Sequence, residues 1–130
     1  MAGFGRGSND VTALIVGGGV GAAVRFQVHE LWPTPLALVT ATVGCILAGC
    51  GVLGYALAST VGGVVRAFLA GVAGGLASIS GYIAIGVSEA PWPVVALIVV
   101  APAAVIAGLW AGASLGVALR ARRREPVGER

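Results

Sequence analysis

The sequence predicts an all-α membrane protein with four transmembrane helices, and three observations lead to this prediction. Of the 130 residues, 58% are hydrophobic and only 10% are charged, whereas about 25% of residues are charged in an ordinary soluble domain. The mean hydropathy, +0.98, is correspondingly high. Turns rich in proline and glycine divide the apolar sequence into four stretches, each close to or above the roughly 20 apolar residues that cross a membrane as a helix.

Short turns connect the four predicted spans. A polar tail precedes the first span, and Pro33 and Pro35 form the turn after it, because proline lacks a backbone donor and disfavours helix in the preceding residue. A glycine-rich turn ends the second span, and Pro91-Trp92-Pro93 ends the third. The tail is residues 1–10, the spans are residues 11–27, 36–58, 64–88 and 94–119, and a basic tail occupies residues 120–130.

The third span contains a segment that predicts a break in its helix. Residues 74–82 include two adjacent glycines, two serines and a third glycine, which all weaken a helix relative to alanine or leucine. Irregular backbone at membrane depth persists only where protein buries it or where it lines a polar cavity. Carbonyl oxygens freed by the break are ligands for a hard cation, with further ligands from a second subunit.

The arginines predict the orientation of the chain. All eight basic residues are arginine, and with four spans seven of them lie on the side that holds both tails, while Arg25 alone lies on the other. Basic residues concentrate on the cytoplasmic side of membrane proteins, so we expect both termini to be cytoplasmic in a plasma (inner) membrane protein. The basic run at residues 120–124 adjoins an apolar helix, which favours a membrane flank over a nucleic-acid site.

The polar residues of the spans do not form a catalytic set. The single histidine, His29, lies at a membrane border, and no acidic residue lies at mid-membrane, which argues against an enzyme and against a proton-coupled exporter. We expect Cys45 and Cys50 to be packing residues. The candidate pore-lining residues are Arg25, Thr40, Thr42, Ser80 and Tyr82.

Each candidate has two interpretations. Arg25 either extends to the membrane surface or attracts anions into a vestibule. The threonine and serine hydroxyls either bond to their own helix backbone or donate to a small anion. Tyr82 either packs or presents the positive edge of its ring.

Glycine-rich motifs in the first and third spans resemble those of the CrcB/Fluc fluoride channel family. The motifs are GGGxGAxxR from Gly17 to Arg25 and GxxGGL from Gly71, followed by a serine-bearing break up to Ser80. The spacing of Gly44 and Gly49 in the second span is also similar. The resemblance extends over about residues 12–115.

The resemblance implies a passive fluoride channel built as an antiparallel dimer of dual-topology type. It also implies a central structural sodium ion (Na+) held by backbone carbonyls, which fall at Gly74 and Ala77 by position. The chain would export fluoride from the cytoplasm and so reduce its toxicity. Its partners would be fluoride, the lipid bilayer and a homologous four-helix subunit.

Three departures from the family pattern favour a heterodimer over a homodimer. The family's pore asparagine is replaced by Ala41, and its two phenylalanines are replaced by Ile79 and Tyr82. Each lost charge-assisted hydrogen bond forfeits about 1.5–3 kcal/mol. With the orientation bias, this leads to the hypothesis that the chain is the diverged half of a pair. The alternative is a non-conducting structural or regulatory subunit that keeps the channel scaffold.

The orientation gives a first testable prediction. A reporter fused after Arg130 is expected to be inaccessible to impermeant reagents in intact cells, because the arginine-rich tail stays on the cytoplasmic side. Labelling is expected only after the cells are permeabilised. Labelling of intact cells would contradict the predicted topology.

Overall fold

The computed structural model describes residues 4–31, 34–78 and 92–123, and within these ranges the chain forms helices and no strands. The predicted all-α class is therefore confirmed for the described residues. The helices are α1 (Phe4–Leu31), α2 (Pro35–Ala58), α3 (Gly63–Ala77) and α4 (Trp92–Arg122).

Three of these helices are long and apolar enough to cross a membrane. They are α1 over Gly7–Leu31, α2 over Leu36–Ala58 and α4 over its whole length. Helix α1 begins within the predicted N-terminal tail, and α4 continues into the predicted C-terminal tail. Pro102 lies inside α4, and the helix extends well beyond it on both sides.

Helix α3 is shorter than the predicted third span. Its 15 residues measure about 22 Å at 1.5 Å per residue, less than the roughly 30 Å of the hydrocarbon core. The helix ends at Ala77, and Ser78 has an extended backbone (φ −68°, ψ 124°). Residues 74–77 of the segment in which a break is predicted are helical, and its residues 79–82 lie outside the described residues.

The helices associate as two parallel pairs, α1 with α3 and α2 with α4. In the first pair, Gly17 lies against the Phe68 carbonyl and Gly21 against the Val72 carbonyl, so both helices advance together. In the second pair, Gly108 lies against Leu47, Gly112 against Gly51 and Gly116 against Tyr55. Small residues permit this approach of backbones, the main packing device between membrane helices.

Helices α2 and α3 join the two pairs. A short connection, residues 59–62, links them, and Gly49 lies so close to α3 that a Cβ would be 2.8 Å from the Ala73 carbonyl oxygen. The helix order is therefore α1, α3, α2, α4. The core between α2 and α4 consists of Ile46, Cys50, Ala101 and Ala104, with Ala77 of α3 against it.

The outer faces of the helices are apolar. Ile15 on α1 is 68% exposed, and Val99 and Trp110 on α4 are 70% and 76% exposed. Large hydrophobic side chains in contact with water would cost about 25 cal/mol per Å² of apolar surface. A lipid environment around α1 and α4 removes this cost.

The glycine contacts predict a position-specific sensitivity to alanine. A Cβ at Gly71 would overlap the Leu14 carbonyl oxygen, whereas a Cβ at Gly19 would have nothing within 4 Å. We expect Gly71→Ala to destabilise the detergent-solubilised protein by about 1–3 kcal/mol, as overpacking does. Gly19→Ala, the matched control, is expected to be neutral or slightly stabilising because alanine is the better helix former. Equal melting temperatures for the two variants would contradict the close α1–α3 approach.

Candidate functional site

A cluster of polar residues lies where the second half of α1 meets α2 and the end of α3. Arg25 and His29 both come from α1 and are four residues apart, so they share one face of that helix. Thr42 comes from α2 and Ser78 follows α3. Arg25, His29 and Ser78 are half-buried, and Thr42 is only 1% exposed. These four residues are called the polar cluster below.

The Arg25 guanidinium connects α1 to the end of α3. Its Nη1 donates a hydrogen bond to the backbone carbonyl oxygen of Ser78. A helix C-terminus carries about half a negative charge on its unpaired carbonyls, so the positive guanidinium stabilises the point where α3 stops. Arg25 is thereby held at the level of the α3 terminus, six residues before α1 ends.

The Thr42 hydroxyl connects α1 to α2. Thr42 Oγ1 donates to the Leu38 carbonyl oxygen at 2.8 Å and lies 3.2 Å from His29 Nε2. A hydroxyl has a single proton, and here that proton goes to Leu38. His29 donates to Thr42 in the tautomer that carries a proton on Nε2 of the imidazole.

Thr40 does not belong to this cluster. Its side chain is exposed, and its hydroxyl bonds to carbonyl oxygens of its own helix, at 3.2 Å to Leu36 and 2.9 Å to Ala37. Two of the predicted pore-lining residues thus make contacts between helices in this cluster, Arg25 with Ser78 and Thr42 with His29, and Thr40 lies apart. Ser80 and Tyr82 lie outside the described residues.

A second charge of α1 lies at the opposite end of α3. A Cβ at Gly63, the first residue of α3, would be 3.7 Å from each carboxylate oxygen of Asp10. No side chain caps this helix terminus, since the N-cap residue is Gly62. A carboxylate near a helix N-terminus is favourable by about 0.3–1 kcal/mol. Asp10 and Arg25 therefore complement the two ends of the α3 dipole.

The predicted cation ligands, Gly74 and Ala77, lie in the last part of α3. Gly74 is exposed, with nothing within 4 Å of a Cβ built there, and Ala77 is half-buried against the core between α2 and α4. Both positions offer only backbone carbonyl oxygens, which are suitable donors for a hard cation. The open surface at Gly74 leaves room for ligands from a second subunit. The donor chemistry therefore fits the implied sodium ion.

His29 and Ser78 were not predicted as site residues. The spacing of Arg25 and His29 by four residues was the signal for His29, because it places both on one face of a helix. No sequence pattern pairs Ser78 with Arg25, because the pairing depends on how α3 packs along α1.

The described residues contain no group of three or more His, Cys, Asp or Glu side chains that could hold a metal ion. Cys45 and Cys50 are buried free thiols. What the polar cluster offers chemically is one fixed cation, Arg25, and one imidazole.

Comparisons of the chain with protein-family models, curated proteins and solved structures found no match.

The polar cluster predicts different effects for two threonines of α2. Thr42→Val removes the acceptor of His29 at a buried position, and we expect it to destabilise the protein by about 1–3 kcal/mol. Thr40→Val makes the same change of shape, and we expect it to change the free energy of unfolding by less than about 0.5 kcal/mol because the Thr40 hydroxyl is exposed. Thermal unfolding of both purified variants measures the difference, and equal effects would show that the His29 bond contributes nothing.

Proposed function

We propose that this chain is one subunit of a dimeric channel that lets fluoride leave the cytoplasm passively across the plasma membrane. The observation that carries the proposal is the contact between Arg25 and Ser78. It holds a permanent positive charge beside the end of a short helix, among helices that are otherwise apolar. Such a charge attracts a small anion toward the helix bundle.

The position of the acidic residues in the described spans supports an anion over a cation or a proton as the transported species. Within the described membrane-spanning helices, the acidic residues Asp10 and Glu30 lie near the two ends of α1. Proton relays use acidic or histidine side chains along the pathway, and many cation pores are lined by rings of acidic side chains. Neutral donors and one arginine are the groups suited to an anion that has shed water. The anion is proposed to be fluoride because the glycine motifs resemble those of the CrcB/Fluc fluoride channel family.

The second subunit of the proposed channel is a homologous four-helix chain in antiparallel orientation. Gly74 and Ala77 of both subunits would hold a central sodium ion through their carbonyl oxygens. When bound, the ion would neutralise the partial negative charge at the ends of both α3 helices. A heterodimer is favoured because the arginine distribution fixes one orientation for this chain, with both termini cytoplasmic, and the partner must then insert the other way.

A second function is favoured by the threonine geometry. The hydroxyl protons of Thr40 and Thr42 both go to carbonyl oxygens of α2 itself, so neither is available to an anion in this arrangement. A chain whose hydroxyls are committed in this way is suited to a non-conducting structural or regulatory subunit. That subunit would keep the scaffold and leave conduction to its partner.

Fluoride efflux from reconstituted vesicles distinguishes these functions. The purified chain, alone and together with a co-expressed four-helix partner of opposite arginine bias, is incorporated into fluoride-loaded vesicles. A fluoride electrode then records efflux, with chloride efflux as the selectivity control. We expect rapid fluoride efflux from the complex and little from the lone chain, because Ala41 replaces the family's asparagine and only one of its two phenylalanine positions, Tyr82, remains aromatic.

Two serine variants of this chain then assign its role within the complex. Ser80→Ala is expected to lower efflux about tenfold or more, equivalent to the loss of one charge-assisted hydrogen bond. The matched control is Ser114→Ala, since the Ser114 hydroxyl bonds only to the Trp110 carbonyl of its own helix. Unchanged efflux in both variants would favour the non-conducting subunit, and full efflux from the lone chain would exclude the heterodimer.

A further inference from the structure

A polar pocket lies at the end of the α2–α4 pair, away from the polar cluster. Its volume is about 160 Å³. Arg120 of α4 and Arg123, just after α4, line the pocket, as do Ser59 and Thr60 after α2. The other described lining residues carry no charge, so the described lining has two positive charges and no negative one.

A third guanidinium lies beside this pocket. Arg66 of α3 donates a hydrogen bond of 3.4 Å to the carbonyl oxygen of Val61, and Val61 lines the pocket. The backbone N–H of Arg123 donates to the Leu119 carbonyl at 3.3 Å, which continues the α4 turn up to that arginine. The pocket is therefore a concentrated positive site at the membrane border.

An apolar groove continues from the pocket toward the membrane interior. The groove has a volume of about 520 Å³, and Tyr55 and Leu119 line both it and the pocket. It follows α4 from Leu119 to Gly108, a distance of about 16 Å at 1.5 Å per residue. That length is close to half of the roughly 30 Å hydrocarbon core, the depth that the acyl chains of one leaflet occupy.

We propose that the pocket and groove together bind one anionic phospholipid. The phosphate group lies between Arg120 and Arg123, and an acyl chain lies in the groove between Tyr55 and Gly108. Charge complementarity selects the headgroup, because each basic residue near an anionic lipid surface contributes roughly a fivefold gain in affinity. The continuity of a cationic pocket with an apolar groove of leaflet depth selects a lipid over free phosphate. This site is independent of the proposed channel function.

Titration of the purified full-length protein with defined lipids, followed by native mass spectrometry, tests the proposal. The probes are dioleoyl phosphatidylglycerol, dioleoyl phosphatidylcholine and inorganic phosphate. We expect phosphatidylglycerol to bind in preference to phosphatidylcholine, with inorganic phosphate a weak competitor. The double variant Arg120→Gln/Arg123→Gln is expected to lose about thirtyfold in affinity for phosphatidylglycerol.

Two further variants separate this site from a general attraction to positive charge. Arg122→Gln changes an exposed arginine of the same helix that does not line the pocket, and it is expected to change affinity less than about twofold. Ala111→Phe fills the groove at an exposed position and is expected to weaken lipid binding while inorganic phosphate binding is unchanged.

Three outcomes would overturn the proposal. The first is equal binding of the two lipids, and the second is an equal loss in Arg122→Gln and in the double variant. The third is a groove variant that lowers dimerisation without lowering lipid binding, which would assign the groove to a second copy of the chain. Circular dichroism and melting temperature confirm that each variant is folded, and all four substituted positions are exposed, which favours correct folding.

Discussion

Close backbone contact at glycine is the constraint on which the rest of this structure depends. Lipid tails are as apolar as leucine, so burial of apolar surface contributes little driving force for the association of membrane helices. Close packing between the helices must provide that driving force. Here Gly17 and Gly21 of α1 lie directly on carbonyls of α3, and Gly108 and Gly112 lie directly on α2. Larger residues at these positions would separate the helices, and the contacts between polar side chains would be lost with them.

The polar cluster is a product of that packing. Arg25 reaches the Ser78 carbonyl and His29 reaches Thr42 only because α1 lies against α3 and close to α2. The cluster also shows how an apolar protein accommodates a half-buried cation. A carbonyl at a helix terminus, which carries partial negative charge, is the hydrogen-bond partner of Arg25 among the described residues.

Much of the fold was predictable because membrane helices are recognisable from the apolar composition of their sequences. Apolar length and proline-containing turns located α1, α2 and α4. The sequence did not predict that α1 begins at Phe4, because Asp10 and the residues before it have the polar composition of a tail. The contact of Asp10 with the start of α3 is made only in the folded chain. For the site, Arg25 and Thr42 were predicted and His29 was not, although its spacing of four residues from Arg25 places both on one face of α1. The contacts of Arg25 with Ser78 and of His29 with Thr42 join residues far apart in sequence, and no local pattern encodes them.

Asp10 and Arg25 of α1 also determine how α1 and α3 are aligned. Asp10 and Arg25 are 15 positions apart, and α3 is 15 residues long. Glycines recur at intervals of four in both helices, so a slide of one turn, about 5.4 Å, would still place a glycine opposite a backbone. Such a slide would move the carboxylate and the guanidinium away from both ends of α3 at once. The glycines alone are compatible with more than one alignment of these helices, and only one alignment places Asp10 and Arg25 at the two ends of α3.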